Sequence, residues 1–468
     1  MKTLRNTIHL TFALIAFASL GLTPSVQAVN PPPDGGYPGG NTAEGDNALL
    51  SLTTGTFNTA VGGSALYSDT SGGSNTAMGA RALRNNTTGE SNTALGNMAL
   101  FFNSSSGNTA IGDSALLNNT IGFGNVATGF QALLRNRNGH GNVANGSLAL
   151  QNNTTGSTNT AVGSAALATN TEGQGNTAVG ALALVSNTDG GDNTAIGESA
   201  LSSNTAGFDN TAVGVDALTE NAEGFGNTAV GRDALHALSP TEDTEGNGNT
   251  AVGDGSLENC TTGGINVAVG QKAGFRVTTG AGNTFLGESA GEFVTTASGV
   301  ICIGHKGKNV SHSCFIENIF GQTNGGVPVL INSFGRLGTM TSSKRFKEEI
   351  KPMDKASETL FALKPVTFHY KKEIDPAGTS QFGLVAEEVE KVNPDLVARD
   401  EEGKPYTVRY EQVNAMLLNE FLKEHRAVQE QQKEIDALRA ELKEQRALIQ
   451  KVKDKVEFNK PTPQTVLN

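Results

Sequence analysis

Few side chains in this sequence are placed to do chemistry. Cys260, Cys302 and Cys314, with His305 and His312 close to the last, are the softest ligand set. Their spacing matches no structural zinc pattern, so the two histidines read as exposed loop residues. An odd thiol count leaves one cysteine unpaired or bridging subunits; Cys302 and Cys314 are the two that could pair. Acidic positions such as Glu198, Asp216 and Asp254 are scattered. Glycoside hydrolysis needs two placed carboxylates, and without a recurrent pair these read as solvated surface charge. One stretch is denser, Thr341-Ser342-Ser343-Lys344-Arg345-Phe346-Lys347. A serine hydroxyl is a weak nucleophile until a base takes its proton, and a lysine can be that base only where its environment favours the neutral amine. A serine and a lysine five residues apart are, by themselves, most often a helix cap and a solvated charge.

The elements that would have to position these groups fall into two kinds. Of 58 glycines, all but Gly378, Gly383 and Gly403 lie before residue 341. Residues 342–468 hold 22 of the 34 Lys and Arg and 23 of the 46 Asp and Glu, so the net charge of −12 sits almost entirely in the first 341 residues. That acidic balance argues against a nucleic-acid partner, since phosphate binding needs a basic surface. Glycine does not recur every third residue, which excludes collagen.

The front part is a repeat. Asn-Thr-Ala-(Val/Ile/Leu/Met)-Gly-x-x-Ala-Leu recurs with its Asn at 41, 58, 75, 92, 108, 125, 142, 159, 176, 193, 210, 227, 249, 266 and 283. The steps are 17 residues apart from one of 16 and one of 22, the long one holding Ser239-Pro240-Thr241-Glu242-Asp243. A degenerate copy follows at Val300–Gly304. This unit is too short for a helical-hairpin repeat, which takes more than about 30 residues. Each copy offers a short strand such as Thr160-Ala161-Val162, closed by Gly, then a second element, Ala-Leu, and often an Asn-Asn-Thr-x-Gly turn. The expected fold is mainly β: a parallel β-solenoid of one coil per repeat, with the Asn of each coil stacked on the next. Its Ala-rich core is thin, so association of chains and capping of the end coils are expected. The repeat resembles the head repeats of trimeric autotransporter adhesins, which implies a left-handed parallel β-roll built from three chains.

Ahead of the repeat, Lys2 and Arg5 precede an apolar run, Leu10–Leu22, and the small-residue pattern Val26-Gln27-Ala28. This is a secretory signal pattern over 1–28, its apolar run shorter than the ~20 residues a span needs. Residues 29–40 form a Pro/Gly leader, 41–304 the repeats and 305–341 a β connector. The mature chain is expected to be secreted or surface-attached, with no transmembrane span.

Behind it, Val366–Tyr370, Gln381–Ala386 and Tyr406–Tyr410 read as strands, with a helix over Glu387–Val392; residues 342–410 are thus a small α+β segment. His369 reads as a solvent-facing strand residue. From 411 to 458 there is no Gly or Pro, and Phe421, Val428, Ile435, Leu442, Ile449 and Val456 recur every seven residues. The partner positions Glu424, Gln431, Leu438, Gln445 and Val452 are more polar, the pattern of a coiled coil with one strong and one weak seam. Pro461 and Pro463 end it, and 459–468 is a frayed tail.

The segment from about 341 to 440 resembles the intramolecular chaperone auto-processing domain at the ends of phage tail spikes and fibres. The resemblance rests on Ser342–Ile350, Leu363–Val366, Phe382–Val389 and Tyr410–Val413, in that order. It implies a domain that trimerises, assists folding of an upstream β-helical trimer and then cuts itself off once, with no turnover. The scissile bond would be Thr341–Ser342, with Ser342 as nucleophile and Lys347 as base, Lys344 and Arg345 supplying cationic neighbours. Where the family often has Asp after the nucleophile, this chain has Ser343, a fallback nucleophile that would share a helical face with Lys347. The resulting expectation is a secreted homotrimeric fibre or adhesin-like protein with a self-removing chaperone and no cofactor. The alternatives are a permanently capped spacer, or a glycan-processing enzyme of the tail-spike kind. A surface or glycan ligand for the repeats stays open.

Overall fold

The computed structural model describes residues 37–240, 245–319, 328–332 and 334–458. The expected signal segment, leader residues 29–36 and the tail 459–468 lie outside the described residues. The chain divides into two compact units, one ending at Gln322 and the other beginning at Thr323.

The first unit is a parallel β-solenoid. Seventeen three-residue strands, from β1 (Thr42–Glu44) to β17 (Cys314–Ile316), form one sheet. Consecutive strands pair parallel with like residues in register, Thr160 with Thr177, Ala161 with Ala178 and Val162 with Val179. Strand geometry turns alternate side chains to opposite faces, so from β2 to β14 the central Ala of each strand is buried while its neighbours face outward. The sheet runs one strand further than the repeat pattern. Cys314–Ile316, assigned from sequence to the connector, pairs with Ile301–Ile303 as a shortened coil.

Two columns of buried asparagines run through the core, Asn41 to Asn283 and Asn86 to Asn221. In the first, Oδ1 of each Asn accepts from the backbone N–H of the next coil, as Asn142 does from Asn159 at 3.0 Å, and Nδ2, except that of Asn227, donates to a carbonyl 13 or 14 residues on. The second column, Asn86 to Asn221, links amide to amide at 2.7–3.3 Å. Each Nδ2 also donates to a turn carbonyl two or three residues ahead, such as that of Gly156. Stacked amides satisfy one another where unpaired polar atoms would each cost ~1–3 kcal/mol. Beyond Asn221 the column continues as Leu238, Cys260, Val277 and Val294, all buried.

The Ala-Leu leg is not a second strand. Ser64 and Leu66 hold φ of 60° and 48°, and the same left-handed pair recurs along the solenoid. Placing left-handed residues at alternate positions sends their N–H groups in opposite directions: Ser64 donates back to Asp46 O at 2.8 Å, Leu66 forward to Ala82 O at 3.0 Å. A left-handed L-residue costs ~1–2 kcal/mol, whereas burying a Leu side chain yields ~1.5–3 kcal/mol. The burial therefore outweighs the strain. Where Gly274 and Gly291 take the place of this Leu, the strand's central Ala becomes Phe285, fully buried. A Cβ on Gly274 would lie 2.8 Å from the Phe285 ring, so the added aromatic fills the volume the leucines vacate.

Three consecutive N–H groups of a turn commonly converge on a carbonyl of the next coil, as at Thr171, Glu172 and Gly173 onto Thr188 O. At the last turn Asn309 Oδ1 takes that place, accepting from Thr295, Thr296 and Ala297 at 2.8–3.0 Å. It is a side-chain cap closing the solenoid's C-terminal end.

The second Asn column begins with a defect. Asp69 is fully buried, its Oδ1 accepts from Gly72 N and Asn86 Nδ2, and its Oδ2 has no partner. Burial raises its pKa from 3.8 to about 6. A carboxyl with a raised native pKa favours the fold below its unfolded pKa and loses that contribution as pH rises through the native one, here from 3.8 to about 6. Asp69→Asn restores an amide donor and is expected to stabilise the solenoid by ~1–2 kcal/mol at pH 7.5. The gain should shrink toward pH 4 in paired thermal melts; a gain independent of pH would contradict this account.

The second unit is built from short pieces. A hairpin of β18 (Val329–Ile331) and β19 (Leu337–Thr339) comes first. Then come a 3₁₀ turn at Lys344–Phe346 and a 3₁₀ run at Asp354–Ala362. A hairpin of β20 (Val366–Phe368) and β21 (Gln381–Gly383) leads to α1 (Ala386–Val392). A third hairpin, β22 (Val397–Arg399) with β23 (Pro405–Val408), precedes α2 (Tyr410–Phe458), 49 residues long. The core is Val389, Leu396, Val397, Val408, Val413 and Met416. Buried Ser357 pins the 3₁₀ run to α2 through Glu420 and through Asn419 at 2.7 Å. His369 lies just past β20 and is exposed.

Candidate active site

Ser342 and Lys347 are brought together by one short turn. Phe346 N donates to Ser343 O at 3.0 Å and Lys347 N to Lys344 O at 3.2 Å, closing the 3₁₀ turn. Lys347 then leaves it extended, at φ −125° and ψ 138°. From that position Nζ donates to Ser342 Oγ at 3.1 Å. Both residues are exposed in the single chain and line an open depression with Lys344, Glu349 and Ile350. Glu349 holds a left-handed φ of 48°, a strained backbone at the rim of the depression.

The flanking candidates are placed differently. Ser343 is the residue before the 3₁₀ turn and its side chain makes no cap bond; its N–H contacts Thr341 Oγ1 at a long 3.4 Å. A full α-helix would have put Ser343 on the face of Lys347, but a single 3₁₀ turn with extended ends reaches one residue further back. Arg345 stacks over the Phe346 ring, 4.6 Å from its centre, a cation–π contact that keeps its charge beside the turn.

The other sets do not form sites. Cys260, Cys302 and Cys314 are free. Cys302 is opposite Phe315 and Cys314 opposite Ile301 in the paired strands, so one thiol points into the core and the other outward. That offset rules out the Cys302–Cys314 pairing offered by sequence. Burial pushes the Cys260 thiol up to about 12 and that of Cys302 up to about 11, away from thiolate reactivity. His305 is half-buried, stacked on Phe315 with Nδ1 accepting from Gly307 N at 2.8 Å, and His312 is exposed. No group of three or more metal-ligating side chains occurs among the described residues. Asp254 is held by Arg232 at 3.0 Å, and Glu198 and Asp216 sit on neighbouring coils through a backbone bond.

Among known proteins, no curated sequence and no solved structure matches this chain. The segment that opens with Ser342 does match: residues 342–398 fit the family model described as chaperone of endosialidase, and the repeated β-solenoid precedes that segment in the chain.

Proposed function

We propose that this protein is an exported, trimeric surface fibre whose C-terminal unit is an intramolecular chaperone that cuts itself free once, at Thr341–Ser342. The observation that carries the cleavage is the 3.1 Å contact of Lys347 Nζ with Ser342 Oγ at the first residues of the matched segment. With the lysine neutral, the same two atoms pass the proton the other way. Oγ attacks the Thr341 carbonyl carbon, Lys347 takes the Oγ proton and the Ser342 nitrogen leaves as an amine after gaining a proton. Water then hydrolyses the Thr341 ester, leaving a Thr341 carboxylate and a free Ser342 N-terminus.

Trimerisation is supported by what a single chain leaves uncovered. Phe382 is 82% exposed and Tyr406 76%. The heptad residues of α2, Phe421 to Val456, are 43–66% exposed, the condition of a coiled-coil seam awaiting its partners. Pairing between chains is non-local and slow, and a C-terminal trimer raises the effective concentration of the solenoids for one another. Export rests on the signal pattern of the first 28 residues; among the described residues no helix is long and apolar enough to cross a membrane.

Expression of residues 29–468 tests the reading. Denaturing gels should show two fragments, the smaller beginning at Ser342 by mass spectrometry, and light scattering before cleavage should give three chains. An intact trimer would sink self-cleavage and leave a permanently capped spacer; a monomer would remove the basis of both.

A further inference from the structure

The outward face of the solenoid sheet carries an apolar stripe left partly exposed among the described residues. Residues at the third strand position, among them Met78, Leu95, Ile111, Val162, Val179 and Ile196, are 37–44% exposed and lie one above another in register. From β2 (Thr59–Val61) to β17 no strand residue is charged, although the first 341 residues carry nearly all of the chain's net −12. Two coils break the stripe. In β6 (Val126–Thr128) and β7 (Val143–Asn145) the aliphatic residue moves to the first position and a polar one takes the third. The backbone register does not slip there, since Ala110, Ala127 and Ala144 stay paired. The stripe itself steps sideways by two residues, ~7 Å, over these two adjacent levels of the solenoid.

We propose that this face is where copies of this chain pack on one another, parallel and in axial register, with Thr128 and Asn145 as the register key. The inference rests on the trimeric reading above and deepens it: once the C-terminal unit is released, the fibre needs an interface of its own. Sixteen strands, β2 to β17, at ~4.8 Å spacing give a strip ~80 Å long, and three-residue strands make it ~10 Å wide. That is ~800 Å² per chain, the area a stable interface uses on each partner. The step selects among arrangements. In register, the Thr128 and Asn145 levels of the copies coincide. A shift by one coil sets Asn145 against aliphatic side chains, leaving a desolvated amide without a partner. An antiparallel arrangement sets β6 and β7 against the uninterrupted stripe near β11 and β12. A single polar residue in an apolar seam fixes register in coiled coils by the same logic.

A spin label on Val179→Cys, in full-length chain carrying Cys314→Ser to remove the exposed thiol, reads the contact directly. Trimers should show strong dipolar broadening, with labels closer than about twice the ~10 Å spacing of packed sheets. Adding Thr128→Val and Asn145→Val should spread the label distances in steps of ~4.8 Å as neighbouring registers become accessible. A trimer by light scattering with uncoupled labels would overturn the strand-face interface while leaving C-terminal trimerisation intact. A monomer would overturn both. Short distances unchanged by the double substitution would overturn the key.

Discussion

Gly163→Ala, in the middle of the solenoid, is expected to destabilise its coil by ~3–5 kcal/mol and to split the unfolding transition in two. Gly163 follows strand β8 (Thr160–Val162) at φ +138°, a region open essentially to glycine and costing other residues ~1–3 kcal/mol. A Cβ there would lie 2.6 Å from the Gly180 carbonyl carbon and closer still to its oxygen. The obstacle is backbone of the next coil, itself held by its own glycine against Gly197, so neither can yield without opening the stack. Overpacking of this kind adds ~1–3 kcal/mol. Stacked repeats are stabilised by nearest-neighbour interfaces, so the damage is local in origin and divides the array into two shorter ones. Urea titration followed by circular dichroism should show a biphasic curve where wild type gives one transition. Substituting Gly63, whose Cβ would meet nothing within 4 Å, should cost at most ~1 kcal/mol. Equal effects at the two glycines would contradict the stacking argument.

The coil was legible because its period is strict and its apolar positions keep phase, so Asn stacking and one strand per repeat follow from spacing alone. The other side of the coil was not. Leu is disfavoured at positive φ, so nothing local in Ala-Leu signals a left-handed turn; only the burial of Leu66 and its fellows against stacked neighbours makes that conformation favourable. The second Asn column was hidden for a related reason. Asn86, Asn153 and Asn187 sit in Asn-rich turns, where Asn is expected for its own sake, and their burial depends on how the turn closes over the core. The Phe285 exchange with Gly274 and Gly291 could be suspected only by knowing that a strand residue faces the turn of adjacent coils. In the second unit β20, β21, β23 and the two helices lie where β-branched and helical patterns place them, whereas β22 (Val397–Arg399) was not read from the sequence. The meeting of Ser342 with Lys347 follows no such pattern, because it depends on one three-residue 3₁₀ turn whose length no periodicity encodes.

That turn makes the cleavage chemistry separable by substitution. Ser342→Ala is expected to abolish fragment formation, since the Oγ that must attack Thr341 is gone; the trimer should form as before, because residues 341–350 are exposed and contribute nothing to the core of the unit. Lys347→Met keeps the length and apolar stem while removing the amine, and should slow the cut by ~10²–10⁴-fold, the usual worth of a positioned general base. Lys347→Arg discriminates further. It retains positive charge and hydrogen-bond donors, yet guanidinium does not give up its proton in proteins. If Lys347 merely holds the turn or orients Ser342, the arginine variant should cleave nearly as wild type; if it takes the Oγ proton, arginine should be as poor as methionine. Exposure of both groups in the single chain adds an order of events. Packing by partner chains is what would withdraw both groups from solvent and fix their geometry. Cleavage should then follow trimer formation, its onset in a folding time course lagging the appearance of three-chain mass and its rate falling when refolding is run dilute enough to delay assembly. Fragments that appear while the protein is still monomeric would break that link.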